Sequence, residues 1–270
     1  MSPVTASYGQ YILNHRSDPI LEGVQDPSFH APQNPIRANA QAVEDWMIPN
    51  LPPILDQLRI GSCAANAGNG ALEILLNSEG ALRSLSCLHL YWIARALDGS
   101  TGQDAGTHLR SIVQQMHRIG VCLDDYWPYV EPEKNYLVPP PLEADIRASE
   151  NRISGYYKIN STGTQRLSDI ATAIRANHPV IFGTGVGKVF FNTDGKSPIV
   201  MDPKDIEGGH ATVLVGVQSI AGRMSFRNKN SWNVGWGDGG YCWLDQDYMT
   251  WSGTDDIWVL TRMNPLVVAA

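Results

Sequence analysis

No run of lysine or arginine interrupts this chain, and only 17% of its 270 residues are charged. A nucleic-acid groove or an anionic membrane surface needs a concentrated basic face, so neither is an expected partner. Nothing approaches the roughly 18 consecutive apolar residues of a membrane-spanning helix. Met1 to Ile20 has polar residues throughout and no apolar centre, so no Sec signal peptide is expected. A cytoplasmic location follows, or export by another route. Cysteine is scarce. The four, Cys63, Cys87, Cys122 and Cys242, include no CxxC pair, which speaks against a zinc ribbon or a dithiol redox site. If one is a nucleophile, an odd number remains, and that makes no disulfide framework. Cys87, Cys122 and Cys242 are expected to be small buried hydrophobes in a reducing compartment. No metal and no cofactor is expected.

What is present is ordinary globular material, 43% hydrophobic with a net charge of -7. That suffices for one large domain or two small ones sharing a cleft. The chain reads in three stretches. Residues 1–44 are polar and carry Pro3, Pro19, Pro27, Pro32 and Pro35 without any period, so they predict extended or irregular backbone rather than a packed element. Residues 45–145 read as helical, with helices over 63–76, 86–97 and 107–119. Small residues and leucines share one stripe from Cys63 to Leu76, and Gly120 stands where a C-terminal cap belongs. Residues 146–270 predict a short helix over 167–176 and then strands over 180–182, 210–217, 224–229, 240–244 and 257–261. A helical half followed by a β-rich half places a site in the cleft between them.

A cysteine nucleophile needs a partly ionised thiol, a base, and donors for the oxyanion of its tetrahedral intermediate. Gly61-Ser62-Cys63-Ala64 lies where loop becomes helix, and the positive end of a helix favours thiolate. The side-chain amide of Gln57, with the Cys63 backbone N–H, suits an oxyanion hole. His210 follows Gly208-Gly209 at the mouth of an apolar run and suits the base, and the glycines let another backbone approach closely. Asn230 suits the group that accepts the other imidazole N–H and orients the ring.

These residues resemble a known family. Gln57 to Ala64, Gly208-Gly209-His210-Ala211, and Asn230-Ser231-Trp232 with Gly235-Trp236-Gly237 resemble the Cys, His and Asn signatures of papain-like peptidases. Asp104-Ala105-Gly106, Trp127-Pro128-Tyr129 and Pro179 to Gly183 are weaker matches in the same order. The resemblance runs from about Asp45 to Arg262, and bacterial members without disulfides, of the xylellain type, look nearest. It implies an α+β fold of two lobes, helical then antiparallel and barrel-like, with Cys63 and His210 facing each other across the cleft. It implies that Gly106 pairs with an extended peptide or protein substrate. It also implies that Trp232 covers the His210–Asn230 bond, with Gly209 beside the substrate and His108 lining the pocket for its second side chain. Three departures stand out. Leu58 replaces a common glycine, Ala64 a common aromatic and Ile60 a common half-cystine, so the cleft beside the nucleophile has its own shape. The long helical propeptide of many members is not expected in residues 1–44, which are too short and too proline-rich to form it.

The expected activity is therefore peptide hydrolysis through an acyl-enzyme, by a monomer, with residues 1–44 lying along the cleft as an inhibitory prosegment. Two alternatives use the same residues: a catalytically silent binding protein of this fold, and an acyl transferase or ligase that passes the acyl group to an amine. The remaining histidines read as structural or solvated. Gly183-Thr184-Gly185-Val186-Gly187 imitates a dinucleotide loop, but Lys188-Val189-Phe190-Phe191 does not read as the helix such a loop needs, so a turn at a strand end is expected. Asn160-Ser161-Thr162 is a glycosylation sequon only by accident of composition.

Overall fold

Cys63 to Ser78 forms a helix because alanines, glycines and leucines let it lie close to its neighbours on every side, and nearly all of it is buried. In the computed structural model, residues 6–23, 25–29 and 44–262 are described. Two short strands open the chain, β1 (Ala6–Tyr8) and β2 (Tyr11–Leu13), paired as a hairpin, followed by β3 (Trp46–Met47). The helices α1 (Cys63–Ser78), α2 (Cys87–Leu97) and α3 (Leu109–Arg118) come next, then the short α4 (Pro132–Asn135) and α5 (Leu142–Ala148). The Ser86 hydroxyl caps α2 by accepting from the His89 N–H, and Gly120, at φ +92°, ends the chain's path out of α3. The α2 and α3 helices pack against α1 through Leu88, Leu90, Ile112 and Met116, all buried.

Strand β4 (Gly155–Lys158) and helix α6 (Gly163–Arg175) lead into β5 (Val180–Gly187), the one-turn α7 (Lys188–Phe191), β6 (Pro198–Ile199) and the long β7 (Ile206–Ile220). Last come β8 (Arg223–Lys229), β9 (Tyr241–Asp245), α8 (Gln246–Thr250) and β10 (Asp255–Thr261). One sheet gathers these strands in the order β4-β10-β5-β7-β8-β9-β6, with β3 also pairing to β7. Among the described strands only the β6–β9 pair is parallel. Every residue of β5 is buried, so it is a central strand covered on both faces, as its unbroken apolar and glycine run demands.

The expected order, helices first and sheet second, is the order observed. Three details differ. The sheet is not closed into a barrel, because β4 and β6 end the path at opposite edges. Gly183 to Gly187 are not a turn but strand residues, paired across to Ala211, His210, Gly209, Gly208 and Ile206. A backbone committed to that ladder cannot wrap a phosphate, and the one-turn helix that follows does not change this. The start of the chain is more than irregular: β1 and β2 form a hairpin, and Leu13 is 1% exposed, as buried as any core residue.

Candidate active site

Four elements bring the chemistry together. Cys63 is the first residue of α1, and the loop before it carries Gln57. His210 lies within β7, opposite Thr184 of β5, and Asn230 follows directly on β8. All four are buried, Cys63, Gln57 and His210 completely. A 2.7 Å hydrogen bond joins His210 Nε2 to Asn230 Oδ1. That oxygen also accepts the Ser231 backbone N–H, so it is an acceptor and Nε2 is the donor. The imidazole is then neutral with its free lone pair on Nδ1. This atom is buried and has no hydrogen-bond partner among the described residues.

Gln57 is held by its oxygen so that its nitrogen faces the cleft. Oε1 accepts from the Trp232 indole N–H and from the Ser231 hydroxyl, each at 3.1 Å. The Trp232 ring lies over His210 with centroids 4.7 Å apart, and Phe190 meets both rings edge-on. Trp232 thus walls the His210–Asn230 pair and orients Gln57. The second contact had no signal in the sequence, since residues 57 and 232 are far apart in the chain. Nearby, Asp104 accepts two bonds from the Gly61 N–H and one from the Tyr91 hydroxyl, pinning the loop that leads to Cys63. Leu58 adopts φ +53°, left-handed backbone that costs a non-glycine residue roughly 1–2 kcal/mol. The glycine common at this place is thus replaced at a backbone position that favours glycine.

The N-terminal segment runs through this site. Tyr11 stacks on Trp232, centroids 5.1 Å apart and planes 12° from parallel, and its hydroxyl donates to the Trp232 carbonyl. The Ile12 carbonyl accepts from Gln57 Nε2 at 3.0 Å. At Asn14 the backbone hydrogen-bonds to the Cys63 thiol, and the side-chain amide donates to the Asp104 carbonyl. The Asn14 carbonyl lies where a Cβ on Gly106 would stand, 1.9 Å from it, and Gly106 sits at φ +67°. Glycine is required there on both counts. His15 donates its N–H to the Gly209 carbonyl at 3.1 Å. His108, at the start of α3, has Nδ1 2.8 Å from the Ser17 carbonyl and 3.2 Å from that of Arg16. The candidate residues Gly106, Gly209, His108 and Trp232 therefore all touch this one segment.

Beyond the cleft the segment is anchored by charge. The Asp18 carboxylate accepts from the Arg110 backbone N–H, the Trp258 indole and Lys158 Nζ, and its side chain is 1% exposed. Burial, then the neighbouring Asp256, push its pKa up to about 6. Arg110 grips Asp26 with two bonds.

Electrostatics in this closed arrangement favour neutral groups. Burial pushes the Cys63 thiol up to about 11, against backbone hydrogen bonds from Ala211, Asn14 and Ala64. Burial also pulls His210 down to about 4, against its bond to Asn230. The helix terminus that was expected to favour thiolate is thus outweighed by desolvation. The other three cysteines are buried and free, with thiols raised by burial. One trio among the described residues, His15, Asp255 and Asp256, could offer ligand atoms within 4.8 Å of one another. Its acids already accept from Lys158, the Ser17 hydroxyl and the Asp18 N–H, a donor set that suits an anchored segment better than a metal ion.

Comparison with known proteins accords with this geometry. Residues 41–258 match the profile of papain family cysteine proteases. An uncharacterised peptidase C1-like protein of Acanthamoeba polyphaga mimivirus is 30% identical over 226 residues, covering 79% of this chain and 71% of that protein. Cathepsin K of Gallus gallus is 26% identical over 210 residues, 77% of this chain but 59% of its own length, so the chain spans less than two thirds of it. Among solved structures, xylellain, a cysteine protease from Xylella fastidiosa, superposes with a TM-score of 0.77 at 23% identity, covering 96% of this chain and 100% of that one. The digestive procathepsin L 3 of Tenebrio molitor superposes at 0.66 with 21% identity, covering 87% of this chain and 73% of that one.

Proposed function

This chain belongs to the papain family of cysteine proteases and is a cysteine peptidase of papain-like fold, and on that premise we propose which residues act and how the enzyme is kept latent. Cys63 is the nucleophile, His210 exchanges protons through Nδ1, Asn230 orients the ring, and Gln57 with the Cys63 N–H receives the oxyanion. The sulfur attacks the peptide carbonyl carbon, and the C–N bond then breaks as His210 protonates the leaving amine. Water, deprotonated by His210, hydrolyses the thioester and frees the enzyme. No helix among the described residues is long and apolar enough to cross a membrane.

The observation that carries this reading is the Ile12 carbonyl on Gln57 Nε2 beside the Asn14 backbone on Cys63. A peptide backbone lies where a substrate's would, between the thiol and the amide donor. Latency follows from the same contacts. The segment from Tyr11 to Asp18 fills the cleft and excludes water, and desolvation then suppresses the thiolate–imidazolium pair that catalysis needs.

Iodoacetamide labelling of Cys63 near pH 6 tests this in the full chain and in the full chain carrying Tyr11→Ala and Asp18→Ala. Faster labelling and peptide cleavage in the doubly substituted chain are expected, both lost in Cys63→Ala. Equal labelling of the two would remove the latency reading. Cleavage that survives Cys63→Ala would remove the assignment of the nucleophile.

A further inference from the structure

We propose that Asp104 is a positioning residue, whose carboxylate ties the loop of the nucleophile to the backbone that meets substrate and sets a negative charge against the thiolate. This rests on the peptidase reading above and extends it to how the same site is held. Both Asp104 oxygens accept the Gly61 N–H, each at 3.0 Å, and Gly61 leads through Ser62 directly to Cys63. Gly61 itself makes room for the carboxylate. A Cβ there would stand 3.2 Å from Asp104 Oδ1 and 2.9 Å from the Asn14 side chain. Asp104 leads in turn through Ala105 to Gly106, over which the Asn14 backbone passes. Residues 104–106 therefore carry both the anchor of the loop and the backbone that faces a chain in the cleft.

Tyr91 joins the two ends of that stretch. Its hydroxyl donates to Asp104 Oδ1 and accepts from the Gly106 N–H at 3.1 Å. The tyrosine lies on α2 and is fully buried. Burial, then the charge of Asp104, push its pKa well above the usual tyrosine range, so it stays a donor. Behind it Arg95 is completely buried, its guanidinium carbon 4.1 Å from the centre of the Tyr91 ring. Arg95 donates to the Thr101 carbonyl at 3.1 Å and the Gln103 carbonyl at 2.9 Å, fixing the backbone that leads into Asp104. The four cysteines are free, so hydrogen bonds rather than a crosslink hold this corner of the cleft.

The charge has a chemical consequence. Burial is the main cause of the raised Cys63 thiol in the closed chain, and the repulsion of thiolate by Asp104 adds to it. The first cause weakens when the segment leaves. The second stays, because Gly61 and Tyr91 belong to the fold and keep Asp104 in place. Among the described residues Asp104 acts electrostatically on Arg95 and Tyr91 of α2, on Tyr129, and on Cys63 at the start of α1. An asparagine here would relieve the repulsion, but it has one acceptor oxygen and would turn an N–H toward the donors of Gly61 or Tyr91. Asp104 thus holds the nucleophile in place at a cost to its ionisation.

The test adds Asp104→Asn or Tyr91→Phe to the full chain carrying Tyr11→Ala and Asp18→Ala. It reads Cys63 alkylation by iodoacetamide against pH, and kcat and KM on a peptide per alkylatable site. Asp104→Asn should move the alkylation midpoint to lower pH and lower kcat by about 10-fold or more, the scale of a misplaced reacting group, with KM changing less. Tyr91→Phe keeps the charge and removes the hydroxyl, so it should lower kcat in the same way without moving the midpoint downward. A merely structural role would lower the number of alkylatable sites and leave both midpoints alike. An alkylation midpoint that Asp104→Asn does not move, or a kcat that neither variant lowers, overturns the proposal and leaves the peptidase standing. Should Asp104→Asn not fold, an unchanged kcat in Tyr91→Phe overturns it alone. A parent chain that alkylates fast but cuts no peptide overturns the peptidase reading instead, and the proposal with it.

Discussion

The side-chain nitrogen of Gln57 donates a 3.0 Å hydrogen bond to the carbonyl of Ile12, a residue 45 positions earlier in the same chain. The donor proposed for the oxyanion is thus engaged by a resting carbonyl. Gln57→Ala should therefore act in two directions. With the cleft open, kcat should fall by about 10²-fold, the usual loss of one oxyanion donor. In the full chain, Cys63 labelling should quicken, because the segment loses a contact. Steady-state kinetics and labelling rates, measured on the same preparations, separate the two effects.

Protonation gives a second expectation. In the closed chain burial holds the thiol at about 11 and the imidazole at about 4, so both are neutral between those values. Labelling of the full chain should climb with pH toward about 11, whereas the Tyr11→Ala, Asp18→Ala chain should reach its plateau well below that.

Stability follows the same groups. The folded pKa of His210 is depressed from 6.5 to about 4, so its neutral ring binds fewer protons folded than unfolded. Its contribution is present above about 6.5 and is lost as pH falls from there toward 4. The thermal midpoint should drop across that window, and His210→Asn should flatten the drop.

Gly106→Ala should uncouple opening from turnover. Its Cβ would meet the Asn14 carbonyl at 1.9 Å, and φ +67° costs an alanine roughly 1–2 kcal/mol. Labelling of Cys63 by a small alkylating agent should rise as the segment is displaced, while peptide cleavage should fall because substrate backbone meets the same methyl. A parallel rise in both would mean that substrate does not pass over Gly106.

Asn230→Ala should lower kcat by at least about tenfold with little change in KM. His210 Nε2 would lose its 2.7 Å partner, and the ring would be free to turn its lone pair from the sulfur. A pH–rate profile shifted on its His210 limb would mark this as loss of orientation rather than of folding.

Much of this was legible in the residues. The helices beginning at Cys63 and near Ser86 and ending near Gly120 follow apolar spacing and capping chemistry, both local properties. Five strands were visible as apolar runs between glycines, though β5 and β7 extend further than their apolar centres. The glycines from 183 to 187 misled as a turn signal. Their backbone is committed to a ladder with β7, and glycine there serves close approach rather than a bend.

By itself, then, the sequence determined the chemical inventory: a cysteine at a helix start, a histidine among glycines, an amide partner, and motifs in the order of one family. Such information is carried by residue type and spacing. Only the tertiary structure decided that Trp232 steers Gln57, that Ile12 and Asn14 occupy the cleft, and that His15 rests on Gly183 before Asp255. It also decided the direction of the thiol's shift, since a helix terminus favours thiolate but burial pushes this sulfur up to about 11. Each of these depends on contacts between residues far apart in the chain, and on how much water the fold leaves at the site.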